Sequence, residues 1–61
     1  MQVGDLVKSA SHYVGETGII TKEKPVLKTK QQGNPTFVMK YCVEWTFGDW
    51  GWFYPQDLEV V

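Results

Sequence analysis

Eighteen consecutive residues, Tyr41 to Leu58 (YCVEWTFGDWGWFYPQDL), hold all three tryptophans, two of the three tyrosines and two of the three phenylalanines of a 61-residue chain. A chain this short buries only about 60% of the surface its unfolded form exposes, so a few large side chains decide its stability. An aromatic ring buries roughly 150–250 Å², and a fully buried apolar side chain contributes about 1.5–3 kcal/mol. The block must therefore supply much of the interior, with the rest of the chain wrapped around it. The length allows one domain, residues 1–61.

The pattern around the block is one of short strands. From Thr36 to Trp45 one parity reads Phe37, Met39, Tyr41, Val43, Trp45 and the other Thr36, Val38, Lys40, Cys42, Glu44. Such period-two alternation predicts a strand with one apolar face. Thr46-Phe47-Gly48-Asp49 predicts a tight turn and Trp50–Tyr54 the returning strand, which sets Trp45 and Trp50 in position to pair across the hairpin. Pro55-Gln56-Asp57-Leu58 fits one 3₁₀ turn, with proline fixing φ at its start, and Glu59-Val60-Val61 a last strand.

Upstream, Gly4-Asp5 reads as a turn and Leu6-Val7 as the start of a first strand, followed by a loop over Ser9–Gly15 from which Tyr13 folds back over the core. Glu16–Lys24 reads as the second strand, with Ile20 inward. Gly18 marks a bulge or a close backbone approach, and Pro25 ends the strand or places it at an edge. Residues 24–35 read as a long, basic, mobile hairpin whose turn is Gln31–Pro35. No run of ten or more residues has helical periodicity. The expectation is an all-β, five-stranded SH3-like barrel with a short 3₁₀ turn before the last strand, an architecture that removes most exposed sheet edges.

Three stretches carry a resemblance. Val3–Lys8 (VGDLVK), Gly15–Lys22 (GETGIITK) and the ending from Trp50 or Trp52 through Pro55 to DLEVV look like small SH3-like barrel proteins, including short bacteriophage-encoded ones. The first two also resemble KOW-type barrels of ribosomal and transcription-elongation proteins, which implies nucleic-acid binding. Gly51–Val60 is similar to the end of eukaryotic-type SH3 domains, where a proline and a following tyrosine line a groove for polyproline ligands. Here Leu58 stands at the tyrosine's place. An ALYDY-like start and an acidic cluster after Ser9 are also missing, so these departures count against polyproline recognition. A barrel of this kind hosts many unrelated functions.

Charge narrows the classes further. The net charge is −1, so no global field draws the chain to nucleic acid or membrane. Four lysines (Lys22, Lys24, Lys28, Lys30) nevertheless cluster around one acid, Glu23, while four acids and no base follow from Glu44 onward. The lysines suit phosphates, with Phe37 or Tyr41 to stack a base, but they read more readily as a solvated hairpin whose charges protect its edges. The absence of arginine removes the usual bidentate phosphate reader. A single cysteine, Cys42, excludes an internal disulfide and fits a reducing compartment. MQVGDLVKSA lacks the apolar core of a signal peptide, and no apolar run reaches the ~20 residues of a membrane span. The expected location is cytoplasmic, the host cytoplasm for a phage-encoded chain, with no membrane partner.

Catalysis finds no footing. A catalytic thiol at Cys42 needs an activating base, and the one histidine, His12, lies in the first loop. One histidine and one cysteine assemble no ordinary zinc site. Gly15-x-x-Gly18 precedes no helix and so is not a phosphate loop, and Asp5, Asp49 and Asp57 sit at turns where aspartate bonds its own backbone. The expectation is neither an enzyme nor a cofactor or metal protein.

What remains is the aromatic surplus. One returning strand cannot hide Trp50, Trp52 and Tyr54 on one face and Phe53 on the other, and Trp50 is the first candidate for exposure. The expected function is a non-catalytic interaction module that binds a protein or peptide, or a second copy of itself. Its contact surface would be Tyr13, Trp45, Trp50, Trp52 and Tyr54, with Glu44 and Asp49 as rim charges. Aromatics beside a carboxylate also suit a methyl-lysine cage. The alternatives are weak nucleic-acid binding through Lys22, Lys24, Lys28 and Lys30, and a structural subunit of a virion.

Overall fold

The alternating stretch before the tight turn becomes the spine of a single sheet. A computed structural model of the chain describes every residue except His12 and Gln32, and describes Thr29, Lys30, Gln31 and Asn34 by their backbone only. Its strands are β1 (Leu6–Ser9), β2 (Thr17–Gln31), β3 (Asn34–Trp45), β4 (Trp50–Phe53) and β5 (Leu58–Val60), with a 3₁₀ turn over Pro55–Asp57 between the last two. They form one five-stranded antiparallel sheet in the order β4-β3-β2-β1-β5. No described helix is long and apolar enough to cross a membrane.

One face of the sheet, the inner face, is the core. Tyr41, Val43 and Trp45, the apolar parity of β3, are buried there with Val7, Ile20 and Leu58; Tyr13, Met39 and Phe53 pack against them. The inward placement expected for Ile20 is met. Gly18 lies between Val7 on β1 and Trp45 on β3, in register with both. A Cβ at Gly18 would meet the Glu44 carbonyl oxygen at 2.7 Å, so β2 and β3 approach here as only glycine allows. Of the two readings of Gly18, the close approach is the one found. The register shifts lie elsewhere on β2, between Ile20 and Lys22 and between Leu27 and Thr29.

The tight turn closes as its sequence requires. Gly48 sits at φ +96°, its N–H donates to the Trp45 carbonyl oxygen at 3.0 Å, and the Trp45 N–H donates to the Asp49 carbonyl oxygen at 2.8 Å. The loop after β1 is pinned by a buried hydroxyl. Ser9 Oγ accepts the Tyr13 N–H at 2.9 Å, and the Glu16 N–H donates to the Tyr13 carbonyl oxygen at 2.8 Å. Those bonds lay the Tyr13 ring over Trp45, as expected, with edge-to-face contacts to Trp45 (5.5 Å), Phe47 (5.2 Å) and Phe53 (6.3 Å).

Residues 24–35 belong to a β2–β3 hairpin that is paired further out than its turn chemistry implies: β2 runs for 15 residues, straight through Pro25, and pairs with β3 as far as Gln31 opposite Asn34. Proline is tolerated because β1 pairs with β2 only at Thr17–Ile19. Ile20 still exchanges backbone hydrogen bonds with Gly4 and Asp5; beyond it no described strand pairs with that side of β2, so a missing N–H at Pro25 is tolerated there. Pro25 is thus at an edge without ending the strand. The two long strands outrun β1, β4 and β5 and project as a two-stranded ribbon, making the molecule 42 Å long against 19 and 18 Å across. Phe37, on the apolar parity of β3, is exposed because it lies on this ribbon, past the strands that would cover it.

Candidate functional site

The sheet register sorts the aromatic block onto two faces. Directly opposite residues of an antiparallel pair share a face, and the β3–β4 pairs are Tyr41 with Phe53, Cys42 with Trp52, Val43 with Gly51 and Glu44 with Trp50. Trp50 therefore stands opposite Glu44, and the expected Trp45–Trp50 pair does not form. Trp45 is 3% exposed and meets Phe53 edge-to-face at 5.4 Å. It belongs to the core and is withdrawn from the contact surface.

Trp50, 63% exposed, and the half-buried Trp52 lie on the outer face. There they line a cleft of about 370 Å³ with Thr21, Lys22, Cys42 and Glu44. A smaller cleft of about 150 Å³ follows, lined by Lys28, Val38, Tyr54 and Gln56. Tyr13 is not part of this surface. It is half-buried on the inner face, and its hydroxyl reaches Asp49 Oδ2 at 3.5 Å. Asp49 also accepts the Trp50 N–H on Oδ1 at 2.9 Å, so its carboxylate holds the turn that aims Trp50. The seven expected contact residues thus divide, with Glu44, Trp50, Trp52 and Tyr54 together outside, Tyr13 and Trp45 inside, and Asp49 at the turn between them.

The lysines join the outer set. Lys24 and Lys40 face each other across β2 and β3. Lys24 Nζ lies 4.4 Å from the Trp52 ring centroid and Lys40 Nζ 4.8 Å from that of Tyr54. Like charges in direct opposition are unfavourable in a sheet, and each ammonium instead finds the negative face of a ring. Lys22, Lys24 and Lys28 therefore stand beside the aromatics. The side chain of Lys30 and all of His12 lie outside the described residues, and with them the question of an approach between His12 and Cys42.

Sequence reasoning missed Lys40 and Thr21 as neighbours of the rings. The signal for Lys40 was present: it shares the parity of Cys42 and Glu44, and counting back from the Thr46–Asp49 turn sets that parity against Trp50 and Trp52. Thr21 gives no such signal, because the register shift after Ile20 brings it beside Lys22; its hydroxyl donates to the Cys42 carbonyl oxygen at 3.4 Å. Cys42, directly opposite Trp52, is 4% exposed. Among the described residues no three His, Cys, Asp or Glu side chains converge as a metal ion would need.

No family model, curated protein sequence or solved structure matches the chain.

Proposed function

We propose that this protein is a non-catalytic interaction module, a small SH3-like barrel with a projecting ribbon, whose outer face binds a peptide segment carrying acidic and apolar side chains. Strand order and chain reach support the barrel. β4 and β5 are the two edges of the sheet, yet only Tyr54–Asp57 separate them. A flat five-stranded sheet would hold its edges about 19 Å apart, whereas the five steps from Phe53 to Leu58 span at most about 17 Å. The 3₁₀ turn shortens them further. That short reach favours a sheet curled toward closure.

The observation that carries the binding reading is the exposed Trp50 beside Trp52, in a cleft whose charged lining is Lys22 and Glu44. An exposed tryptophan in a partly desolvated cleft is the kind of anchor that dominates binding energy at interfaces. Lys24, Lys28 and Lys40 beyond the cleft favour acidic side chains in the partner. Nucleic acid would use the same lysines and rings. It fits less well, because the Glu44 carboxylate sits among them, where a continuous phosphate backbone would have to pass.

Selection of a displayed random-peptide library tests the reading. Wild-type protein should enrich peptides with an apolar residue next to acids, and Trp50→Ala should enrich none while melting within a few degrees of wild type. Equal enrichment by both proteins removes Trp50 from the site. Quenching of tryptophan fluorescence by oligothymidylate at low salt, with no peptide enriched, replaces the peptide with single-stranded nucleic acid.

A further inference from the structure

The two clefts of the outer face stand in line along β3. The larger takes in the Cys42–Trp52 pair, and the smaller is lined by Val38. Cys42, Lys40 and Val38 share the outward parity of β3, so Lys40 stands midway between the clefts, two residues from either side. From Cys42 to Val38 is about 13 Å at the usual rise of a strand.

The midpoint is positively charged from both sides. Lys24 is on β2 and its ring, Trp52, on β4, with β3 between them. The Lys24 side chain must therefore cross β3 to bring Nζ within 4.4 Å of the ring centroid, and it crosses between the clefts. Lys40 Nζ lies over the neighbouring Tyr54 ring. A carboxylate arriving here meets two ammoniums on the same face as itself, whereas the next outward residue beyond Cys42 is Glu44, which repels one.

The width of the surface selects the form of the partner. Residues of β2 wall the clefts on one side, and those of β4 and the segment after it on the other. Two strand spacings set these rows only about 10 Å apart, before side chains narrow the gap, and a helix with its side chains is about 10–12 Å across. An extended chain fits, and it presents every second side chain to one face.

We infer that the outer face reads a spaced linear motif in an extended peptide. A large apolar side chain fills the Trp50–Trp52 cleft. A carboxylate two residues along lies between Lys24 and Lys40, and a small apolar side chain two residues further fills the Val38–Tyr54 cleft. The flank on the Glu44 side carries no acid. This inference rests on the peptide-binding reading above and adds to it the spacing and the order of sizes.

Peptides enriched from the displayed library, aligned on their acids, test it. Wild type should yield a large apolar residue two positions to one side of the acid and a small one two positions to the other. Val38→Ser should relax the small position alone, and Lys40→Gln the acid alone, in variants shown by thermal melting to be folded. In one enriched peptide carrying a fluorescent label, a single residue inserted between the acid and the small anchor turns that anchor to the opposite face. Fluorescence polarisation should then show affinity lower by roughly tenfold or more. Enriched peptides with apolar and acidic residues at no fixed spacing, or at the eight or nine residues a helix needs for the same span, overturn the inference and leave the cleft as a peptide site. Unchanged affinity after the insertion does the same. A library that yields no peptide removes the peptide-binding reading and this inference with it.

Discussion

Lys24 and Lys40 face each other across the β2–β3 ribbon, and each ammonium rests over a different ring, Lys24 on Trp52 and Lys40 on Tyr54. Two positive charges in opposition weaken a strand pair, by up to about 1 kcal/mol relative to a neutral one. Lys40→Glu would convert the opposition into an attraction. Because it also gives up the Lys40–Tyr54 contact, stability should change by no more than about 0.5 kcal/mol in chemical denaturation, while the binding of any acidic peptide selected on the outer face weakens. A folded variant that binds equally well would show that the lysine pair takes no part in recognition.

Gly18 is held against Glu44, Val43 and Trp45 with no room for a methyl group. Because one obstructing atom is a backbone carbonyl, Gly18→Ala can be relieved only by moving β2 away from β3. Overpacking of this kind costs about 1–3 kcal/mol, and the midpoint of a denaturant titration should fall accordingly. No change in midpoint would mean that the two strands separate freely at this point.

The three tryptophans should respond differently to substitution and to a collisional quencher. Trp45→Ala removes a buried ring, at a cost of about 3–5 kcal/mol, against a total stability of about 3–9 kcal/mol for a chain of this length; it should leave the protein largely unfolded. Trp50→Ala should change stability by no more than about 0.5 kcal/mol. Acrylamide quenching of wild type should resolve an accessible fraction that vanishes in Trp50→Phe. An accessible fraction that survives this substitution would assign the exposed ring elsewhere.

Cys42 lines the outer cleft opposite Trp52 with only 4% of its surface exposed, so it should react slowly with a thiol-specific disulfide reagent while β3 and β4 stay paired. Native protein should be modified slowly, and the rate should rise as denaturant approaches the unfolding midpoint. Rapid stoichiometric labelling of folded protein would show that β4 opens readily from β3.

Much of this architecture was legible in the residues. Alternation from Phe37 to Trp45, the Gly48 turn, the proline-led 3₁₀ turn, inward Ile20 and an exposed Trp50 all follow from local chemistry. Alternation, however, says which residues share a face and nothing about how far neighbouring strands reach to cover it. Phe37 and Trp45 look alike by parity, yet one projects on the ribbon and the other is sealed in the core. Pro25 leaves two readings open, a strand end or an edge, for a related reason, since its cost depends on whether the adjacent edge is occupied. The expected Trp45–Trp50 pair failed on register: Trp45 and Asp49 already bond through the backbone to close the turn, so the next residues, Glu44 and Trp50, face each other. The lysines were recognised as a group. Their place beside the rings depended on the register shift after Ile20, which no residue type announces.

The pairing of Val7 with Val60 brings the two ends of the chain together, whereas β2 and β3 are joined by the two residues between Gln31 and Asn34. Closing a hairpin takes microseconds, and closing a long loop carries a larger entropy cost before any contact repays it. The ribbon is therefore the segment able to zip first. The β1–β5 edge must wait until nearly every other residue is ordered. Damage to the ribbon should slow the acquisition of structure, and damage to β5 should hasten its loss.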